Sequence, residues 1–297
     1  MAFQPPGPVG VCLPVSFTTT PPADLQRTAV RRLKDAGYQA IWTNEVVGKD
    51  AFVQLGVLLA ATERTVMGTF IANIWARPAQ TMHAAAAQLA EAYPGRLAVG
   101  LGVGYPEQAA SVGQEFGSPL AMMRDYLERM DTLTWPPAPD AAYPRIIAAN
   151  GPRMLALAGE IADGAMPAGL PSTFTARARQ VLGPDKLLVV GLSVILDADA
   201  GRAKAAARES VSNRLAASSY AARITELGYS AREITEVGDR LVDDIVAHGD
   251  SASVAAKARE HLRAGADHVT LLLPVGGEFS SGIDQLEQLA PALAELG

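Results

Sequence analysis

The stretch LRAGADHVTLL (262–272) ends a helix, turns at a glycine and enters a short apolar strand. The same pattern occurs in LKDAGYQAIW (33–42) and in LAGEIADGAM (157–166). A glycine or another small residue ends each helix, because it tolerates the backbone conformation that terminates helices. Repeated helix-to-strand turns are typical of a βα array. The sequence therefore predicts an α/β fold.

Eight apolar runs fit the strands of such an array. They are VGVCLPVS (9–16), AIWTNE (40–45), TVMGTFIANI (65–74), RLAVGLGVG (96–104), RIIAAN (145–150), ADGAMPAGL (162–170), KLLVVGLSVIL (186–196) and HVTLLLP (268–274). Helical stretches separate them, and the stretch at about 200–265 is too long for one barrel helix. We expect a single (β/α)₈ barrel domain (a TIM barrel) over residues 1–297, with a helical insertion before the eighth strand. A doubly wound sheet is the alternative.

Composition excludes several classes of function. With 49% hydrophobic and 19% charged residues, the chain has enough apolar surface to bury a large core. The formal net charge of −6 and the absence of a basic run argue against a nucleic-acid partner. The one cysteine, Cys12, indicates a reducing compartment. MAFQPPGPVG (1–10) does not resemble a signal peptide and no apolar run is long enough to span a bilayer, so we expect a cytoplasmic protein with no membrane contact.

The chemistry of a barrel of this kind lies at the carboxyl ends of its strands. There the sequence places small and amide residues, with no zinc or iron ligand pattern and no nucleophile motif. The four histidines fall in helices or at the start of a strand. We expect no metal site, and a rim without reactive groups indicates a cofactor that supplies the chemistry.

AANGPRML (148–155) is the candidate phosphate site. A strand ends in Asn150-Gly151 and a helix begins at Pro152. Glycine permits close approach of backbone N–H groups to an anion, and a helix N-terminus carries partial positive charge. A plain strand-to-helix turn is the alternative.

Three further residues at the rim each have two possible roles. The Asn73 amide offers a donor and an acceptor to a heterocyclic ring, or it only closes a turn. Glu45 is a general acid/base if burial raises its pKa, or it forms a salt bridge with Arg77 or Lys49. Tyr105 orients a substrate or shields the cofactor ring.

Several of these segments together resemble a known family. The segments that carry this resemblance are NIWARP (73–78), YPGR (93–96) with LAVGLGVGYPE (97–107), AANGPRMLALAGEIADGA (148–165) and the long insertion. The chain resembles the bacterial luciferase-like monooxygenase superfamily, and within it the actinobacterial coenzyme F-420-dependent oxidoreductases. The resemblance implies a barrel, often homodimeric, with a flavin-like ring across its mouth. It implies F-420 as the cofactor, with FMN as the alternative, and a small-molecule substrate.

The resemblance also implies site residues. A non-prolyl cis peptide bond against the ring falls near Phe70-Ile71. The residues that we expect to contact the cofactor are Asn44, Phe70, Ile71, Asn73, Val103, Gly104, Ala149, Asn150 and Gly151. The family's sugar-phosphate dehydrogenases carry a histidine after strand two and a glutamate after strand four, where this chain has Glu45 and Tyr105. These two are therefore the candidate proton donors, and a sugar phosphate is not the expected substrate.

The cofactor has an anionic tail, for which Arg77, Arg153 and Lys49 are the rim-side cations. In RLAVGLGVGYPE (96–107) the third glycine of a dinucleotide fingerprint is absent, so its glycines are expected to leave room for a flat ring.

The function that follows is hydride transfer between F-420 and an unidentified small organic substrate. An FMN-dependent two-component monooxygenase and a non-catalytic flavin-binding barrel are the alternatives.

Overall fold

The computed structural model describes residues 7–16, 18–46 and 48–296, in which nine strands form one sheet. They are β1 (Val9–Cys12), β2 (Ala40–Thr43), β3 (Val66–Asn73), β4 (Leu97–Gly102), β5 (Arg145–Ile147), β6 (Gly164–Ala165), β7 (Leu187–Leu196), β8 (Val246–Gly249) and β9 (His268–Leu272). Hydrogen-bonded neighbours follow the order β6-β5-β4-β3-β2-β1-β9-β7, and β7 also pairs with β6. All these pairs are parallel and they close a barrel of eight strands, so the predicted (β/α)₈ fold is confirmed.

Helices surround this barrel. They are α1 (Ala23–Asp35), α2 (Ala51–Leu59), α3 (Ala79–Ala92), α4 (Pro106–Ser111), α5 (Pro119–Met130), α6 (Pro152–Ile161), α7 (Ser172–Leu182), α8 (Ala200–Leu215), α9 (Ser218–Glu226), α10 (Ala231–Thr235), α11 (Asp239–Ile245), α12 (Ser251–Arg263) and α13 (Phe279–Leu293). The carboxylates of Asp50 and Asp250 accept backbone N–H groups at the starts of α2 and α12, which satisfies donors that have no partner within the helix.

None of the described helices is long and apolar enough to cross a membrane. The signal-peptide prediction concerns residues 1–10, of which 1–6 lie outside the described residues. The assignment of residues 1–297 to one domain stays a prediction.

The insertion before the last barrel strand differs from the purely helical stretch expected at 200–265. After α8 to α11 the chain forms β8, which pairs with Ser193–Leu196 of β7. The last barrel strand, β9, pairs with β7 over Val189–Ser193, so β8 continues along the same edge where β9 stops. Four residues of strand among long Ala- and Arg-rich helices give too short an apolar pattern to stand out in the sequence. The extra strand fastens the insertion to the carboxyl end of the barrel.

Inward-facing side chains fill the barrel, and the glycines of β4 permit this packing. A Cβ on Gly100 would overlap the Thr69 carbonyl oxygen and lie 2.8 Å from the Met166 sulfur. A Cβ on Gly102 would lie 2.7 Å from Cδ1 of Ile71. The expectation that these two glycines leave room for a ring is therefore wrong, because neighbouring strands and side chains already occupy that space.

A buried histidine lies on the inner face of the barrel. The indole N–H of Trp42 donates to Nε2 of His268 at 3.1 Å, and Nδ1 of His268 lies 3.0 Å from the Gly7 carbonyl oxygen. Nε2 must therefore be the unprotonated nitrogen, which leaves the proton on Nδ1. Burial lowers the pKa of His268 to about 4, so the ring is neutral in the folded protein.

We expect the free energy of unfolding to fall as the pH drops from about 6.5 to 4, because the unfolded state takes up the His268 proton first. The stability that neutral His268 contributes is fully present above its pKa in the unfolded state, about 6.5, and is lost as the pH falls toward its pKa in the folded state, about 4. Between pH 7.5 and 4.5 the wild type should lose roughly 2–3 kcal/mol more than His268→Gln. Urea unfolding of both proteins at the two pH values measures the difference. Equal losses would show that His268 does not set the acid sensitivity.

Candidate active site

The carboxyl ends of the barrel strands form a mouth with an apolar floor. Phe70 lies edge-to-face on Trp42, with ring centroids 6.3 Å apart and an interplanar angle of 83°. A Cβ on Gly191 of β7 would lie 2.6 Å from the Phe70 ring and 2.9 Å from Leu272. The Phe70 ring therefore reaches across the barrel. Inward-facing side chains that lie closer than this ring to the carboxyl ends of the strands face the mouth.

The peptide bond between Phe70 and Ile71 is cis, at the position that the resemblance implied. The register between β3 and β4 shifts here, between Thr69 and Ala72. Beyond the shift, the Ile71 carbonyl accepts the backbone N–H of Glu45 at 3.1 Å. The end of β3 is thus joined to the loop that follows β2.

Glu45 is buried, and both of its carboxylate oxygens have partners. Oε2 accepts the backbone N–H of Asn73 at 2.8 Å, and Oε1 accepts that of Ala51 at 3.2 Å. The Arg77 guanidinium forms an ion pair with the same carboxylate and reaches Asp50 at 2.8 Å. The structure therefore supports the salt-bridge alternative. These contacts do not support Glu45 as a proton donor, because the carboxylate is paired with Arg77 instead of facing the mouth.

Asn73 is held by the chain itself. Its Oδ1 accepts the Trp75 N–H at 3.0 Å, and its Nδ2 donates to Oε1 of Gln108 at 3.1 Å. The same Gln108 oxygen accepts the backbone N–H of Tyr105 at 2.9 Å. Gly104 has a φ of +58°, and a Cβ there would overlap Gln108 Oε1. An amide pair therefore fixes the loop after β4.

Gln108 is absent from the residues predicted from sequence. Its position three residues after Tyr105, at the start of α4, is a signal that was available, because a glutamine at this spacing often reaches back to the first N–H of a helix. In the loop after β4, the Val103 carbonyl accepts the Trp75 indole N–H at 2.6 Å. The Tyr105 side chain is 65% exposed.

Lys49 lies beside Asn44 at the end of β2. Its ammonium donates to Oδ1 of Asn44 at 2.8 Å and to Oγ1 of Thr43 at 3.3 Å. Burial lowers the pKa of Lys49, while the neighbouring Cys12 and Glu45 act in the opposite direction. Asn44 therefore orients a partly buried cation.

The turn after β5 contains the predicted phosphate residues. Ala149 is fully buried, Oδ1 of Asn150 accepts the backbone N–H of Ala168 at 2.9 Å, and Gly151 is the residue that precedes α6. A Cβ on Gly151 would lie 2.8 Å from a terminal nitrogen of Arg223 in α9. The insertion thus brings a guanidinium directly over this turn.

The three cations expected for an anionic tail are placed differently. Arg77 is neutralised by Glu45 and Asp50, and Arg153 is an exposed residue of the first turn of α6. Lys49 lies across the barrel at Asn44. Arg223 was missed, because the sequence of an Arg-rich insertion does not show which of its arginines folds back onto the barrel.

The profile of the luciferase-like monooxygenase family matches residues 8–268. The chain belongs to this family. A putative coenzyme F-420-dependent oxidoreductase of Mycobacterium tuberculosis is 28% identical over 172 residues, 46% of this chain and 49% of that protein. A 5,10-methylenetetrahydromethanopterin reductase of Methanolobus tindarius is 28% identical over 200 residues, 58% of this chain and 61% of that protein. The chain thus spans less than two thirds of the length of either of these two relatives.

Two solved enzyme structures share the fold. An F-420-dependent secondary alcohol dehydrogenase, in complex with an F-420–acetone adduct, has a TM-score of 0.73 at 17% identity over 99% of both chains. The oxygenating constituent of 3,6-diketocamphane monooxygenase from Pseudomonas putida, in complex with FMN, has a TM-score of 0.71 at 13% identity over 100% of this chain and 98% of that one. At these identities the likeness shows the fold alone.

In this luciferase-like barrel, the structure brings part of the predicted site together. Glu45, which follows β2, is hydrogen-bonded to Ile71 and Asn73 of β3, and Asn73 is hydrogen-bonded to Gln108. Gly104, which follows β4, packs against that glutamine. The turn at Asn150–Gly151 follows β5 and is hydrogen-bonded to Ala168 in the loop after β6. Contacts of these residues with a cofactor stay predictions.

Replacing Glu45 by glutamine should destabilise the protein by about 3 kcal/mol, because the buried Arg77 guanidinium would lose its buried counter-ion and keep only the exposed Asp50 carboxylate. Urea unfolding at neutral pH measures the loss. The matched control is Glu160→Gln, which removes an exposed ion pair with Arg124 and should change the free energy of unfolding little. Equal effects of the two substitutions would contradict a supporting role of the Glu45–Arg77 pair.

Proposed function

We propose that the protein is an oxidoreductase that binds coenzyme F-420 and transfers a hydride between it and a small organic substrate. The barrel belongs to the luciferase-like family, and its curated relatives include a protein named as F-420-dependent. The observation that carries the proposal is the Arg223 guanidinium, whose Nη2 packs over Gly151 at the N-terminus of α6. Its Nη1 pairs with the exposed carboxylate of Glu226, so the nitrogen over Gly151 is the one directed at the turn. F-420 and FMN both carry an anionic phosphate that such a place accommodates.

The remaining mouth fits the ring of such a cofactor. The amides of Asn73 at the end of β3 and of Gln108 in α4 offer hydrogen bonds to a heterocycle without adding charge. The floor below them is the Phe70 ring and its apolar neighbours. We assign Asn73, Gly104 and the Phe70–Ile71 bond to the ring, and Asn150, Gly151 and Arg223 to the anionic tail.

The deazaflavin supplies the hydride chemistry when it is bound. The chain positions the ring through the Asn73–Gln108 amide pair, which Glu45 holds in place through the Asn73 backbone. Glu45 therefore acts as a positioning residue. Tyr105, at the exposed rim, is the remaining proton donor among the predicted residues, and this role stays a prediction.

Titration of the purified protein with F-420 and with FMN tests the proposal. F-420 fluorescence should change saturably, with a higher affinity than for FMN. Saturable binding of FMN alone, with oxygen uptake that depends on supplied reduced FMN, would replace the proposal by the two-component monooxygenase. Binding of neither would overturn both.

Substitution of Arg223 tests the tail site. Arg223→Gln should weaken F-420 binding about tenfold, because a charge-assisted hydrogen bond to a phosphate is lost. It should leave unchanged the affinity for the deazaflavin chromophore that lacks the phosphate tail. Arg232→Gln in α10 removes an exposed arginine paired with Glu236 and is the matched control. Equal weakening for the complete and the tail-less ligand would contradict the assignment of Arg223 to the phosphate.

A further inference from the structure

A second arginine of the insertion, Arg214, also reaches the barrel mouth. It lies in the last turn of α8, and its guanidinium packs against Gly169 in the loop after β6. A Cβ on Gly169 would overlap a terminal nitrogen of Arg214, and the φ of +64° at Gly169 likewise favours glycine. The loop therefore accommodates this guanidinium only because the residue beneath it has no side chain.

Within the part of the chain that the structure describes, the hydrogen-bond partners of Arg214 are neutral. One terminal nitrogen donates to Oγ of Ser193 at 2.6 Å. The Tyr220 hydroxyl, which donates to the Gly169 carbonyl at 2.7 Å, is also in hydrogen-bond contact with the guanidinium. Burial raises the pKa of Tyr220 to about 12, so the phenol is uncharged at neutral pH.

Arg214 has no counter-ion among residues 7–16, 18–46 and 48–296. By contrast, Arg77 pairs with Glu45 and Asp50, and Arg223 pairs with Glu226. Arg96 also lacks an acidic partner, but it donates to the carbonyls of residues 59 and 65 and to a threonine hydroxyl near the opposite ends of the strands. A half-buried guanidinium without a carboxylate is costly unless an anion completes its hydrogen bonds.

The strand alternation places this cation above the floor of the mouth. Gly191 faces inward, toward the Phe70 ring. Ser193 lies two residues further along β7, so it faces the same side one step closer to the mouth. Ser193 is only 5% exposed, and the guanidinium bound to it stands over the interior of the barrel.

We propose that Arg214, with Ser193 and Tyr220, binds the anionic group of the substrate, which is then a small organic acid carrying a carboxylate or a phosphate. This assignment rests on the proposed function. That function places the tail of F-420 at Arg223, over the turn after β5, and so leaves the side of the mouth at β6 and β7 to the substrate. The chain has a formal net charge of −6, which repels an organic acid, so binding of the acid needs a cation at the site itself.

Calorimetric titration with benzoate, benzamide and inorganic phosphate tests the site, both without cofactor and with F-420 present. At least one of the two anions should bind saturably to the wild type, and neutral benzamide should not. Arg214→Gln should weaken anion binding tenfold or more, and Arg214→Lys should retain part of it. Arg232→Gln is the control, and circular dichroism confirms that each variant is folded.

The outcomes separate this inference from the function on which it rests. No anion binding by the wild type, or equal binding by Arg214→Gln, would overturn it. If the anions compete with F-420 and Arg214→Gln also loses F-420 affinity tenfold, the cation serves the cofactor tail and the assignment to the substrate is wrong. Failure to bind F-420 would overturn the proposed function alone, because the titration without cofactor still measures the anion site.

Discussion

The buried ion pair between Glu45 and Arg77 is the constraint on which the mouth of the barrel depends. Burying two charges is favourable only when geometry and further hydrogen bonds are good, and here the carboxylate also accepts two backbone N–H groups. Those N–H groups belong to the first residue of α2 and to the last residue of β3. The pair therefore fixes where one helix begins and where the neighbouring strand ends. Asn73, and through it Gln108, take their positions from this one contact.

The same pair shows why an acidic residue at a barrel rim is not enough to indicate acid/base catalysis. A catalytic acid needs a free oxygen directed at the substrate and a route for its proton. Glu45 uses its oxygens within the protein, and its nearest cation is as buried as it is, with side-chain exposures of 9% and 3% for Arg77 and Glu45. Glu45 therefore supports the local structure, and the proposed function assigns it no proton transfer.

Most of the barrel was predictable, because each βα unit repeats the same local physics. A glycine after an amphipathic helix and a short apolar run, as in 33–42 and 262–272, specify a turn and a buried strand without reference to the rest of the chain. The cis peptide bond at 70–71 was predicted from the family resemblance and not from such a local pattern. β8, Arg214 and Arg223 were not predictable, because each depends on how the insertion folds back over the strand ends, a long-range contact with no local pattern.

The insertion divides the mouth into two parts with different chemistry. β2, β3 and β4 present amides and an internally neutralised ion pair, whereas the loops after β5 and β6 lie beneath arginines from α8 and α9. The glycines make this division possible. At Gly151 and Gly169, guanidinium groups of the insertion pack against the barrel loops, and a side chain at either position would meet an arginine. A glycine at a barrel rim thus indicates close approach by a partner, and in this chain the partners are cations that the insertion supplies to an otherwise acidic protein.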